Sequence, residues 1–171
     1  PILHMVALDY IISGNSFTSL LIPIRRHVAC GTPGCGFEMP LRKAHAAETI
    51  RLQWVDFQFV GSCPQCRRRS PWRHVDRRSG EASQIRVKRW SPHEIDIIWD
   101  PYTDRTSYVW KIPADYRQLI KKGDIDRLET ASWEVVQAIK NEQDFRFDDG
   151  AIFHMKEEAL AGMRNRGWGV S

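Results

Sequence analysis

The chain has 171 residues, 42% of them hydrophobic and 27% charged, with a formal net charge of +4. That length suffices for one domain with a real core, or for one domain carrying a small insert. No apolar run reaches the roughly 18–20 residues of a membrane span, and the apolar residues 2–12 lack the basic flank and cleavage site of a signal peptide, so no membrane partner is expected. The charge is uneven: residues 1–90 carry 14 Lys and Arg against 6 Asp and Glu, and residues 91–171 carry 11 against 15. A chain that opens on Pro1 and stops at Ser171 after a Gly-rich turn reads as a piece of something longer.

Residues 2–12 form a helix end or a strand, closed either way by the turn-prone Ser13-Gly14-Asn15-Ser16. Phe17–Val28 reads as a strand interrupted at Pro23. A tight segment follows, Cys30-Gly-Thr-Pro-Gly-Cys35-Gly, in which Gly31 and Gly34 permit sharp backbone and Pro33 fixes φ. Leu41–Ile50 has Ala-rich helical spacing. Residues 52–60 alternate as a strand that leads into Cys63-Pro-Gln-Cys66. Residues 84–90 begin a second β block. Ile95–Trp99 and Thr106–Ile112 are strands of a hairpin about the turn Asp100–Asp104, where Pro101 presets φ. Ala114–Lys122 is a short helix with Tyr116, Leu119 and Ile120 on one face, Lys121 and Lys122 at its C-terminal end, and Gly123 beyond it. A further helix runs from about Ala131 to Asn141, with Thr130 as N-cap and an apolar stripe of Ala131, Val135, Ala138 and Ile139. Phe145–Phe147 and Ala151–Met155 are strand-like, and Gly162–Gly169 is a loop rich in Gly and Arg. The fold class is α+β, mostly antiparallel strands with a few short helices.

Cys30, Cys35, Cys63 and Cys66 are the only cysteines in the chain. Two close pairs on turns can point four thiolates at one centre and close a tetrahedral zinc shell, with no open position for water or substrate. Between the pairs lie 27 residues, more than the usual ribbon spacing of about 15–20, so the gap must hold its own hairpin or small loop. Two disulfides, in one of three connectivities, are the alternative, although a bridge within Cys-x-x-Cys is usually redox-active. A zinc deaminase would need His-x-Glu and Pro-Cys-x-x-Cys; Ser62 precedes the second pair here, and neither His45-Ala-Ala-Glu48 nor His93-Glu94 fits. His27, His45 and His74 lie close enough in sequence to replace a cysteine as ligand, or are ordinary polar residues. On the zinc reading, residues 29–80 are a zinc-ribbon-like insert in a host domain made of residues 1–28 and 81–171.

The basic excess peaks after the second pair, at Arg67, Arg68, Arg69, Arg73, Arg77 and Arg78. With Trp72 as a stacking face, this run is either a phosphate contact or a solvated loop. Arg164 and Arg166, with Lys156, flank the C-terminal glycines and offer a subunit or nucleic-acid contact, or again a solvated loop. Trp54, Trp90, Trp99, Trp110 and Trp133 lie on element faces suited to a core or a subunit interface. His154, flanked by apolar residues, reads as a satisfied histidine. There are no paired carboxylates with a matching His, no phosphate-cradling Gly loop and no open metal site, so no enzyme is expected.

Three stretches, in this order, carry a resemblance. They are Asp9-Tyr-Ile-Ile-Ser-Gly-Asn-Ser-Phe17; then Trp90-Ser-Pro-His-Glu-Ile-Asp-Ile-Ile-Trp-Asp100 with the return Tyr108-Val-Trp-Lys-Ile-Pro113; and then Gly150-Ala-Ile-Phe-His-Met-Lys156, followed by Gly162 and Gly167-Trp-Gly-Val-Ser171. Together they resemble the wing region of the portal protein of tailed double-stranded DNA bacteriophages. The resemblance covers most of the chain outside the cysteine segment, which is not part of the common portal pattern. It also stops before anything similar to the stem, clip and crown. It implies a structural subunit of a homo-oligomeric ring at one vertex of the virion capsid, made in the bacterial host cytoplasm. Such a ring passes double-stranded DNA and meets terminase, capsid and neck or tail proteins. The zinc insert would then be a peripheral knob. The residues alone also allow a zinc-ribbon nucleic-acid-binding protein that works through Arg67–Arg78.

Overall fold

The computed structural model describes residues 2–21, 24–78 and 85–156. The class is α+β, and every strand pairing described is antiparallel. The chain divides into two compact units. One comprises Pro1–Leu21, Ile85–Lys111 and Phe145–Ser171; the other comprises Ile22–Gln84 and Ile112–Asp144.

In the first unit the apolar opening segment is helix α1 (Ile2–Ser13). Gly14 stops it: with φ at +70° it takes the left-handed conformation, and its N–H closes on the Tyr10 carbonyl at 2.9 Å. Strand β1 (Asn15–Leu21) follows and is the centre of a three-stranded sheet. On one side lies β11 (Phe153–Lys156), with Phe17 opposite His154; on the other lies β7 (Arg86–Trp90), with Phe17 opposite Trp90. Phe17, Ser19, Lys88, Trp90 and His154 therefore share one face. The hairpin β8 (Ile95–Asp100) and β9 (Arg105–Trp110) forms a second sheet with β10 (Phe145–Arg146). Its turn is tied by Asp100, which accepts from the Tyr102 N–H at 2.9 Å and the Thr103 hydroxyl at 2.7 Å. Trp90 and Trp110 pack at 5.2 Å between ring centroids, and Phe147 meets Trp90 edge-on at 5.1 Å.

The second unit is built on a five-stranded sheet in the order β3-β2-β6-β5-β4. Its strands are β2 (Ile24–Cys30), β3 (Glu38–Pro40), β4 (Gln53–Val55), β5 (Gln58–Ser62) and β6 (Arg69–Arg78). Helices α2 (Leu41–Ala46) and α4 (Ile125–Thr130) pack on β2, and α3 (Ala114–Lys122) packs on α4 and on α5 (Trp133–Lys140). The core between them holds Val28, Leu41, Ile50, Phe59, Trp72, Ile120, Leu128, Val136 and Ile139, each at most 1% exposed. Arg26 is buried among them. Its guanidinium pairs with both Asp76 oxygens at 2.8 and 3.1 Å and donates to the Leu128 carbonyl at 2.8 Å.

Several expectations change here. The proposed single strand Phe17–Val28 is two strands in different sheets, β1 and β2. Residues 52–60 are a two-residue hairpin, because Asp56 and Phe57 both take positive φ, 47° and 59°, and reverse the chain. The second long helix starts at Trp133 and is capped by Ser132, which accepts from the Val135 N–H; Thr130 instead ends α4, a helix the sequence reading missed. The unit holding the cysteines also extends beyond residues 29–80. It takes in β2, which pairs with β6 from Ile24 to Cys30, and all of α3, α4 and α5.

Candidate metal centre

The cysteines sit where two turns meet at one end of the five-stranded sheet. Cys30 ends β2, and Cys63 follows β5. The two turns share a backbone plan. In each, the first cysteine's N–H donates to a carbonyl just past the second cysteine: Cys30 to Phe37 at 2.8 Å and Cys63 to Arg68 at 2.9 Å. The residue after the second cysteine is left-handed in both, Gly36 at φ +67° and Arg67 at φ +58°. Gly31 is fixed by contact: its N–H donates to the Pro71 carbonyl at 3.0 Å, and an added Cβ would lie 2.1 Å from that oxygen.

All four Sγ atoms lie within 4.8 Å of one another. Cys30 and Cys66 approach to 3.8 Å, and Cys35 and Cys63 to 3.6 Å. Those are not disulfide distances, and all four cysteines are free. A tetrahedron of sulfurs about 2.3 Å from a central metal has edges of about 3.8 Å, so the four cysteines form a cluster that could hold one metal ion. Around them, the Thr32 N–H reaches the Cys30 sulfur at 3.4 Å, the Ser70 hydroxyl meets it at 3.6 Å, and the Thr32 hydroxyl meets the Cys66 sulfur at 3.7 Å.

Electrostatics favour a cation there. Burial raises the Cys30 thiol, but the hydrogen bonds from Thr32 and Ser70 outweigh it and bring the thiol down to about 6. A backbone N–H from Arg68 lowers Cys66. For Cys35 the Phe37 N–H lowers the thiol, while burial and the three neighbouring sulfurs act the other way and push it up to about 11. Four thiols at this distance resist ionising together, and a dication at their centre removes that conflict.

None of the three histidines raised as substitute ligands joins this cluster. His27 pairs through Nδ1 with Glu38 at 2.9 Å. His45 is exposed on α2, beside Arg42 and Asp126. His74 stacks on Trp133 at 3.7 Å between ring centroids, and both its ring nitrogens are buried without a hydrogen-bond partner. Trp72 also departs from expectation. It is fully buried, with its N–H donated to the Gly61 carbonyl at 3.1 Å, so it offers no stacking face to a nucleic acid. Arg67, Arg68, Arg69, Arg73 and Arg77 are all exposed, Arg77 being bound to Glu38 through both carboxylate oxygens at 3.0 and 2.9 Å. Arg78 ends β6, and its side chain lies outside the described residues, as do Arg164, Arg166 and the Gly162–Gly169 loop. His154 is satisfied, by the Tyr108 hydroxyl at Nδ1 (3.2 Å) and by Asn15 Oδ1 at Nε2 (2.7 Å).

Sequence reasoning did not find Thr32 and Ser70, which serve the sulfurs, nor the Arg26–Asp76 pair beneath the sheet. Thr32 lies inside the first turn and was open to notice. Ser70 becomes relevant only once β6 is paired with β5. Comparison of the chain with protein-family models, with curated proteins and with solved structures finds no match.

Proposed function

We propose that this chain is the wing part of a portal subunit, and that its four cysteines hold one structural zinc ion in a unit attached to the wing. One observation carries the portal reading. The stretches that resemble the family are far apart in sequence, yet each contributes to a single cluster: Phe17 from the first, Trp90 and Tyr108 from the second and its return strand, and His154 from the third. Phe17 lies opposite both His154 and Trp90 across β1. It stacks on His154 at 4.5 Å between ring centroids and meets Tyr108 edge-on at 6.1 Å. Motifs in a shared order would have this reason to persist together. Large apolar side chains in the same unit face solvent, among them Leu3, Ile11, Ile12 and Trp99, which suits contact with neighbouring subunits.

In this reading the protein performs no covalent chemistry. It is one segment of a homo-oligomeric ring through which DNA enters and leaves the capsid. Electron microscopy of the purified full-length protein tests it: rings with rotational symmetry are expected, and a population of monomers alone overturns it. Zinc has its own test. Metal analysis should return about one zinc per chain, since a Cys₄ donor set of borderline-soft thiolates at tetrahedral spacing suits that ion. Four titratable free thiols with no bound metal in protein purified under reducing conditions would remove the zinc claim and leave the portal reading untouched.

A further inference from the structure

Strand β6 sorts the basic run onto two faces. Ser70, Trp72, His74 and Asp76 share the inner face with their partners on β2 and β5, whereas Arg69, Pro71, Arg73, Val75 and Arg77 point the other way. The register adds Arg25 opposite Arg77, and Ala29 opposite Arg73, on the same outer face. Arg67 and Arg68 lie exposed just before the strand, on the second cysteine turn. Against these cations the described outer face of the sheet offers one carboxylate, Glu38, already engaged by Arg77 and His27. Arg25, Arg67, Arg68, Arg69 and Arg73 form no ion pair among the described residues.

We propose that this outer face, with Arg25, Arg67, Arg68, Arg69 and Arg73, binds the phosphate backbone of double-stranded nucleic acid without reading its sequence. Guanidinium forks match phosphate geometry, and exposed cations left without counter-charges gain by releasing the counterions of a duplex. Among the described residues this face carries no Phe, Tyr or Trp side chain, Trp72 being buried beneath it, and its one imidazole, His27, is tied to Glu38. It therefore lacks the stacking platform on which unpaired bases are held, and a duplex is the partner that fits. Four residues of strand set Arg69 and Arg73 about 13 Å apart, close to the roughly 12 Å width of a major groove with phosphates on both edges. Arg25, Arg69 and Arg73 are held by the sheet, and Arg67 and Arg68 sit on the turn that carries Cys63 and Cys66, where the cysteine cluster pins it. The inference does not depend on the portal reading.

The test is fluorescence anisotropy of the whole chain with a labelled mixed-sequence DNA duplex of about 20 base pairs over a salt series. Affinity should fall steeply with salt. In the double variant Arg69→Gln/Arg73→Gln the log–log slope should flatten by about 2, because each lost phosphate contact removes about 0.9, with at least a tenfold loss of affinity at low salt. Arg105→Gln, in the other unit and 76% exposed, should change neither. Circular dichroism melts check that the variants remain folded. A slope that does not change in the double variant overturns the proposal. So does a single strand of the same length that binds as tightly as the duplex. Displacement by poly-glutamate at equal charge overturns it too, and points to an acidic protein as the partner.

Discussion

Two side chains beneath the five-stranded sheet set much of the energetics of their unit. Arg26 is 1% exposed and is compensated by the Asp76 carboxylate and the Leu128 carbonyl. A buried charge kept in this way is costly to orphan. Asp76→Asn should lower unfolding stability by about 3–5 kcal/mol in denaturant titrations, while Arg26→Met, which removes the charge as well, should cost less. Equal losses would mean that the pair contributes through packing alone. His74 is the opposite case. Burial first, and then the charge of Arg26, pull it down to about 4, against a weaker upward pull from Asp76. The unfolded chain takes up a proton near pH 6.5, but the folded chain does not. Stability is therefore intact above that pH and is lost as pH falls from 6.5 towards 4. Between pH 7.5 and pH 5 the loss should be about 2 kcal/mol. His74→Phe should remove this part of the pH dependence and also stabilise the protein at pH 7.5, because it deletes two unpartnered buried nitrogens. Thiol protonation acts on both proteins alike, so parallel pH profiles would sink the assignment.

At the scale of elements, the cysteine turns rest on a backbone approach that tolerates no side chain. Gly31→Ala would set a Cβ 2.1 Å from the Pro71 oxygen, so the first turn must part from β6. We expect a loss of about 2–4 kcal/mol and weaker metal retention against a chelator; an unchanged denaturation midpoint would show that the turn relaxes freely. Elements were legible in the sequence where a chemical signal marked their ends. Helix α3 runs from Ala114 to Lys122 as expected because Gly123, at φ +80°, takes the left-handed cap and Lys121 and Lys122 occupy the last turn. The cysteine cluster was legible because close thiol pairs on turns have few other uses. Helix α4 was missed because its six residues are too few for a period, although its cap, Asp124, accepts from the Arg127 N–H at 2.9 Å. The β4–β5 turn was missed because Asp56-Phe57 contains no glycine. One signal did exist: Trp54 and Phe59 are an odd number of residues apart, so a straight strand would put them on opposite faces, yet in the hairpin they lie opposite each other with rings 4.6 Å apart. In the arginine run the charges mask the alternation that places Trp72 and His74 inside, so its strand is not legible in the sequence.

Over the whole molecule, the two units bury separate cores, and all four cysteines belong to one of them. The cysteine unit has more core than a zinc ribbon alone. Twelve described residues of its strands and helices, from Val28 and Leu41 through Trp72 to Ile139, are buried hydrophobics. A metal at its edge would therefore join two turns more than it would create a fold. Binding energy concentrates in the segments that pay for it by ordering, here Gly31–Gly36 and Pro64–Arg68, and it reaches the sheet through the Cys30 and Cys63 ends of β2 and β5. Hydrogen exchange with and without a strong zinc chelator separates the two cases. Fast loss of protection at the Cys30, Cys35, Cys63 and Arg67 amides, a partial loss along β2 and β6, and unchanged protection of β1 in the other unit are expected. If chelation instead melted β1 together with β6, the metal would be holding the folded state of the whole chain, and the two units would not unfold independently.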